Sequence, residues 1–232
     1  METNQIILIT LLVFITGNVI AFIYTWLVLY TDIFQNLRIQ KAKYKPGIFF
    51  KRLPLILLNI TLILLVTSVS LYFFSGYFDT TFPQQWWIIP AQILIIAFVD
   101  DLWFYTAHWL LHANKFLLRH IHSVHHKAVH PHPLEYMYEH PLEWMAGSVG
   151  VALGLLVISL FMPLSIYAFW IYGALRNLHE MNLHSGVKSV INPYIPFLKN
   201  AEDHDMHHSR SKGNYASMFN IWDRVFGTTI KN

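Results

Sequence analysis

The chain contains no cysteine, which excludes disulfides, thiolate-bound zinc and cysteine-ligated iron–sulfur clusters. Charge is scarce too. Asp, Glu, Lys and Arg make up 12% of the 232 residues, against about 25% in an ordinary soluble domain. Hydrophobic residues reach 55% and the mean hydropathy is +0.40, so this is not an ordinary soluble domain. The net charge of +3 is mild, and no nucleic-acid partner is expected. There is no flavin- or nicotinamide-binding loop. Gly147, Gly150 and Gly154 have no strand–turn–helix unit around them and read instead as a small-residue face for close helix packing.

What fills the chain is apolar sequence. A spanning helix needs about 20 mainly apolar residues, and residues 6–30, 53–74 and 86–107 meet that need. The first stretch is longer than the ~7–15 residues of a signal-peptide core. Pro54 is expected in the first turn of the second span, where proline is tolerated. Residues 144–178 read as a helical hairpin broken at Met162-Pro163, with its tip near the far interface. Trp86, Trp87, Trp144 and Trp170 fit an interfacial belt or packing between spans.

The basic residues give the spans a direction. Six lie between spans one and two, three follow span three, and Arg176 with the remaining six falls at or after the hairpin's end. Residues 1–5 and 75–85 carry none. The positive-inside rule then puts the N-terminus outside and the basic loops in the cytoplasm. Pro90 to His108 spans about 27 Å at a rise of ~1.5 Å per residue, so span three delivers His108 to the inner surface.

Histidine is the residue present in excess, at fourteen copies. Ten of them form four groups: His108 and His112; His122, His125 and His126; His179 and His184; and His204, His207 and His208. The topology brings all four groups to one face of the membrane. Imidazole suits zinc, copper, iron and nickel. The i, i+3, i+4 pattern of His122-Ser123-Val124-His125-His126 returns in His204-Asp205-Met206-His207-His208, which surface composition does not explain. His179 and His184 stand about 140° apart on a straight helix of ~3.6 residues per turn. Both can serve only if the helix ends or bulges between them, and Asn182 with Ser185-Gly186 offers an ending. Otherwise one is a ligand and the other supports it.

Carboxylates and the remaining histidines take supporting roles. Asp101 shares a helix face with His108, two turns away, and a carboxylate in a span is a functional candidate. It is placed to accept a hydrogen bond from a ligand imidazole. Asp100 points elsewhere and pairs. His140, Asp203, Asp205 and Glu180 are further candidates for supporting the ligands, while His120, His130 and His132 read as a solvated loop.

The motifs together resemble the fatty acid hydroxylase / sterol desaturase superfamily. The resemblance rests on Asp101-x-x-x-Tyr105-x-x-His108-x-x-x-His112, His122-x-x-His125-His126 and His204-x-x-His207-His208. It extends to Glu135-Tyr136, His140-Pro141-Leu142-Glu143, His184-Ser185-Gly186, and the tail from Gly213-Asn214-Tyr215 through Trp222-Asp223-Arg224-Val225-Phe226-Gly227-Thr228. It covers about residues 98–229, and the Pro-Leu-Glu run and the tail look most like the sterol-oxidising branch. The resemblance implies a non-haem site of two ferrous ions held by histidine alone, and hydroxylation or desaturation of a sterol-like or fatty-acyl lipid with dioxygen. It also implies two electrons from an external donor, a small haem protein or a ferredoxin with its reductase.

The expected fold is an all-α membrane bundle of transmembrane helices including a helical hairpin. A histidine-rich, helical cytoplasmic cap (residues 108–143 and 179–232) completes a single integral-membrane domain. A di-zinc hydrolase on the same scaffold, or a metal-transporting or haem-carrying membrane protein, are the competing readings. The tail Thr229-Ile230-Lys231-Asn232 lacks the paired lysines of an endoplasmic reticulum retrieval signal. This favours a bacterial inner membrane over the endoplasmic reticulum without deciding between them.

Overall fold

A computed structural model describes residues 1–230; Lys231 and Asn232, on which the retrieval-tail reading partly rests, lie outside the described residues. The long apolar runs become helices: α1 (Thr3–Tyr30), α2 (Ile48–Phe74), α3 (Ile88–Ala113) and, after the single turn α4 (Lys115–Leu117), α5 (Pro141–Ser159). Each of α1, α2, α3 and α5 is long and apolar enough to cross a membrane. With water absent from the hydrocarbon, only a helix satisfies every backbone group within one such segment. Leu8, Leu12, Ile23 and Trp26 of α1 and Leu65 and Phe73 of α2 stay exposed, as lipid-facing side chains should.

Among the described residues three further α-helices follow: α6 (Ile166–Leu183), α7 (Ala201–Arg210) and α8 (Ile221–Val225). The α5–α6 hairpin reaches the far end of the bundle. There β2 (Leu164–Ser165) pairs in parallel with β1 (Phe78–Asp79), in the register Phe78↔Leu164 and Asp79↔Ser165. The amino-terminal nitrogen of Met1 donates to Thr80 Oγ1 at 2.9 Å, and the Thr3 and Ser75 hydroxyls meet at 2.9 Å. The N-terminus, the loop after α2 and the hairpin tip thus share one end, opposite the histidines.

The tightest seam is α3 against α5. A Cβ added at Gly150 would stand 2.9 Å from the Asp100 Cα, and one at Gly154 would stand 2.9 Å from the Ile96 Cα. The glycines are what let the two backbones touch. Between α3 and α5 the chain turns inward. The 3₁₀ turn Pro133–Met137 is buried throughout, anchored by Leu134 N donating to Thr25 Oγ1 at 2.9 Å and Asn59 Nδ2 donating to Met137 O at 3.0 Å.

Two local expectations change here. α2 begins at Ile48, behind Gly47 at φ +70°, so Pro54 lies inside the helix rather than in its first turn. The added turn seats Phe49 against Phe22 and His132 (ring centroids 6.3 and 6.0 Å). His132, expected in a solvated loop, is fully buried, with its Nε2 3.1 Å from Glu135 Oε1. Arg52 pairs with the same carboxylate.

Candidate metal centre

α3 runs to Ala113, six residues past the expected end of its span, and carries His108 and His112. The next stretch leaves α-helical geometry: Leu118–His122 forms a π turn and His125–Lys127 a 3₁₀ turn. This change of pitch turns His125 away from His122 and His126. Nine histidines then gather as two adjoining pockets. One holds His108, His112, His122, His126 and His207; the other holds His125, His184, His204 and His208. Within each pocket the ligand atoms lie within 4.8 Å of one another.

The Nε2 atoms converge. In the first pocket His122 Nε2 lies 2.8 Å from His112 Nε2, 2.9 Å from His126 Nε2 and 3.1 Å from His108 Nε2. In the second, His204 Nε2 lies 2.9 Å from His184 Nε2 and 3.1 Å from His208 Nε2, and His184 Nε2 lies 3.2 Å from His125 Nε2. The pockets share a wall, with the His126 and His208 rings 5.1 Å apart.

The opposite ring nitrogens settle the tautomer. His108 Nδ1 donates to Tyr215 O at 2.8 Å, His207 Nδ1 to Gly213 O at 2.7 Å and His184 Nδ1 to Glu180 O at 2.9 Å. His125 Nδ1 donates to Tyr138 O at 3.3 Å, and His122 Nδ1 to Glu143 Oε1 at 2.6 Å. A carbonyl can only accept, so the four Nδ1 atoms that face one carry the proton and their Nε2 lone pairs point inward. Facing lone pairs at about 3 Å repel unless a cation lies between them. Adjacent nitrogens each ~2.1 Å from one ion would be separated by about the same distance. The donor set therefore fits metal ions. Burial, helped by neighbouring imidazoles, holds His125, His204, His207 and His208 well below the ordinary histidine range, and burial brings His126 down to about 4. The imidazoles are neutral, the form that binds metal.

Some expected residues lie elsewhere. His179 is outside both pockets, its Nε2 3.1 Å from Ser217 O. α6 continues unbroken to Leu183 and stops only at His184, too late to rotate His179 inward. Asp101 does not reach an imidazole. Its carboxylate accepts the backbone N–H groups of Ser217, Met218 and Phe219 at 3.1, 2.6 and 2.7 Å, pinning the loop whose Tyr215 carbonyl orients His108. His140 caps α5, its Nδ1 accepting from Leu142 N at 3.2 Å. Asp203 contributes its backbone carbonyl to Asn214 at 2.9 Å, and Asp205 accepts from Gln40 Nε2 at 2.8 Å. Glu180 accepts from Ser217 Oγ, with its Oε2 3.8 Å from His184 Nδ1.

The carboxylate within 3 Å of a pocket imidazole is Glu143. Its place in the His140-Pro141-Leu142-Glu143 run was the only sequence signal for it. The backbone carbonyls behind four other ligands had no signal at all.

Above the pockets lies a cavity of about 780 Å³. His108, His122, His125, His184 and His204 line its inner end. Ile63 and Val66 of α2 face Val151 and Leu155 of α5 across it, and Phe74 and Ser159 line its far end.

A multi-pass membrane protein with two adjoining histidine pockets beneath an apolar cavity is the class that fold and site define. The chain belongs to the fatty acid hydroxylase family, whose model matches residues 93–228. Methylsterol monooxygenase 1 of Rattus norvegicus is 34% identical over 203 residues, 84% of this chain and 67% of that protein. The protein of the same name from Gallus gallus is 34% identical over 186 residues, 78% of this chain and 57% of that protein. A very-long-chain aldehyde decarbonylase of Oryza sativa subsp. indica is 30% identical over 204 residues, 84% of this chain and 74% of that protein. The chain thus spans between 57% and 67% of the length of the methylsterol monooxygenases it matches. No solved structure matches it.

Proposed function

We propose that this chain is a membrane-bound non-haem di-iron oxygenase that hydroxylates or desaturates a sterol-like or fatty-acyl lipid. The observation that carries the reading is the convergence of nine imidazoles at the inner end of an apolar cavity. The similarity to methylsterol monooxygenases supports it and favours a sterol-like substrate. His108, His112, His122, His126 and His207 would hold one ion, and His125, His184, His204 and His208 the other. Two ferrous ions held there would supply the reduction of dioxygen and the attack on an unactivated C–H bond, with two electrons drawn from a separate donor.

The chain's own residues do the rest. The apolar walls bind the hydrocarbon and keep bulk water from the reacting carbon. Glu143 and the carbonyls of Tyr138, Glu180, Gly213 and Tyr215 hold the imidazoles in register, a contribution of the kind worth about 10–100-fold in metal affinity. Exposed Lys115, Arg119 and Lys127 beside the histidine segments would steer an acidic electron donor, a small haem protein or a ferredoxin with its reductase. The positive-inside rule puts this basic end in the cytosol and the N-terminus outside.

The test is metal content and oxygen uptake of the full chain, purified in detergent and supplied with Fe(II) and a reductant. About two irons per chain and lipid-dependent oxygen consumption are expected. Tightly held zinc with no uptake after iron reconstitution overturns the reading.

A further inference from the structure

Arg176, Glu180 and His184 follow one another at four-residue spacing along one face of α6 and its cap, and all three line the cavity. At ~1.5 Å per residue, Arg176 stands about 12 Å along the axis from His184, displaced toward the bilayer's middle. It is thus not at the basic surface, where its sequence position put it. An ionised pair at such depth is costly, and here it is only half used. Arg176 Nε donates to Asp100 Oδ2 at 2.6 Å, and Tyr172 Oη donates to the same oxygen at 2.5 Å. Gly150 makes the room for Asp100, since a Cβ there would collide with its carboxylate.

The other edge of the guanidinium is free. Among the described residues, neither terminal nitrogen of Arg176 donates to a protein atom, and the side chain keeps 27% exposure where it lines the cavity. Joining α3 to α6 needs no such edge, and N–H groups turned toward an apolar space without an acceptor cost free energy. Asp100, with Glu180 one turn along the same face, already balances the charge, so the matching group is a neutral oxygen acceptor rather than a further anion.

We propose that the free guanidinium edge of Arg176 takes a hydroxyl or carbonyl oxygen of the lipid, making Arg176 a positioning residue that sets which carbon lies beside the histidines. This deepens the oxygenase reading by naming its substrate as an oxygen-bearing lipid and not a plain hydrocarbon. The binding step itself needs neither metal nor turnover.

The experiment uses the full chain without metal, in detergent, and reads quenching of tryptophan fluorescence (Trp144 lines the cavity) on titration with matched lipids. Cholesterol against cholestane tests the hydroxyl source, and methyl stearate against octadecane tests the carbonyl source. Wild type should bind the oxygenated member of at least one pair about tenfold more tightly, a difference of ~1.4 kcal/mol. The double variant Asp100→Asn/Arg176→Met removes both members of the ion pair together, and Glu180 then keeps Ser217 Oγ as its hydrogen-bond partner. It should bring that lipid pair to parity while leaving hydrocarbon affinity unchanged. Arg176→Lys, which keeps the ion pair but loses the planar edge, should cut the preference by about threefold or more. Equal binding by wild type within both pairs overturns the proposal, as does a preference surviving in the double variant or, should that variant not fold, undiminished in Arg176→Lys. A metal-free result in favour, combined with a protein that consumes no oxygen, would sink the oxygenase reading and leave this site standing.

Discussion

His207 and His208 are neighbours in the chain, yet one faces the five-histidine pocket and the other the four-histidine pocket. Single substitutions should therefore act on one ion each. On the proposed reading His207→Ala and His208→Ala are each expected to hold about one metal ion per chain against two expected of the parent, while His179→Ala keeps both, as read by elemental analysis of purified protein. Two ions retained in His207→Ala would refute the assignment. Glu143→Gln replaces a carboxylate by a weaker acceptor for the His122 Nδ1–H. It should speed metal loss to a chelator by roughly 10–100-fold, with little change in helix content by circular dichroism.

Among the elements, α5 lies against α3 through glycine, and the loop 217–219 hangs from one carboxylate. Gly150→Leu must force those helices apart, because even a Cβ meets the Asp100 backbone at 2.9 Å. Overpacking of this kind costs about 1–3 kcal/mol, and a lowered melting temperature in detergent should report it. Asp101→Ala removes the acceptor of one buried and two part-buried N–H groups, a loss of about 3 kcal/mol. Because the same loop presents the Tyr215 carbonyl to His108, metal affinity should fall along with stability. Unchanged metal binding in Asp101→Ala would show that the loop holds its place without this anchor.

For the molecule as a whole, the polarity of the bundle and its response to pH are both open to measurement. The cysteine-free background makes single introduced thiols unambiguous. Thr80→Cys and Lys43→Cys should react with an impermeant maleimide from opposite sides of a sealed membrane; labelling of both from one side would contradict the topology. In the metal-free protein the pocket histidines bind protons only well below their ordinary pKa of ~6.5, His126 at about 4. The unfolded chain protonates first as pH falls, so it holds more protons than the folded one between these limits. Stability therefore rises with pH across this window and is lost on acidification. Denaturation at pH 5 should need distinctly less urea than at pH 7.5, with little further gain at pH 8.5.

Much of this was written in the sequence because it is local or cumulative. Apolar run length determined the spans, and the placement of Lys and Arg determined which ends share a side. The repeated three-histidine pattern together with its flanking motifs marked a candidate metal site and the family. The tertiary structure decided what depends on how distant segments are rotated against each other. A π turn ending at His122 and a 3₁₀ turn starting at His125 divided the first triplet between two pockets. The unbroken course of α6 chose His184 over His179, and the packing of Phe49 started α2 a turn and a half before Pro54. Asp101 shares the face of His108 but found backbone N–H groups closer than any imidazole. The carbonyls that orient the ligands have no side-chain signature, and so no periodicity could announce them. Arg176 counted as one more basic residue near a helix end until the packing of α6 against α3, with room for Asp100 left by Gly150 of α5, gave it Asp100 on one edge and an open cavity on the other.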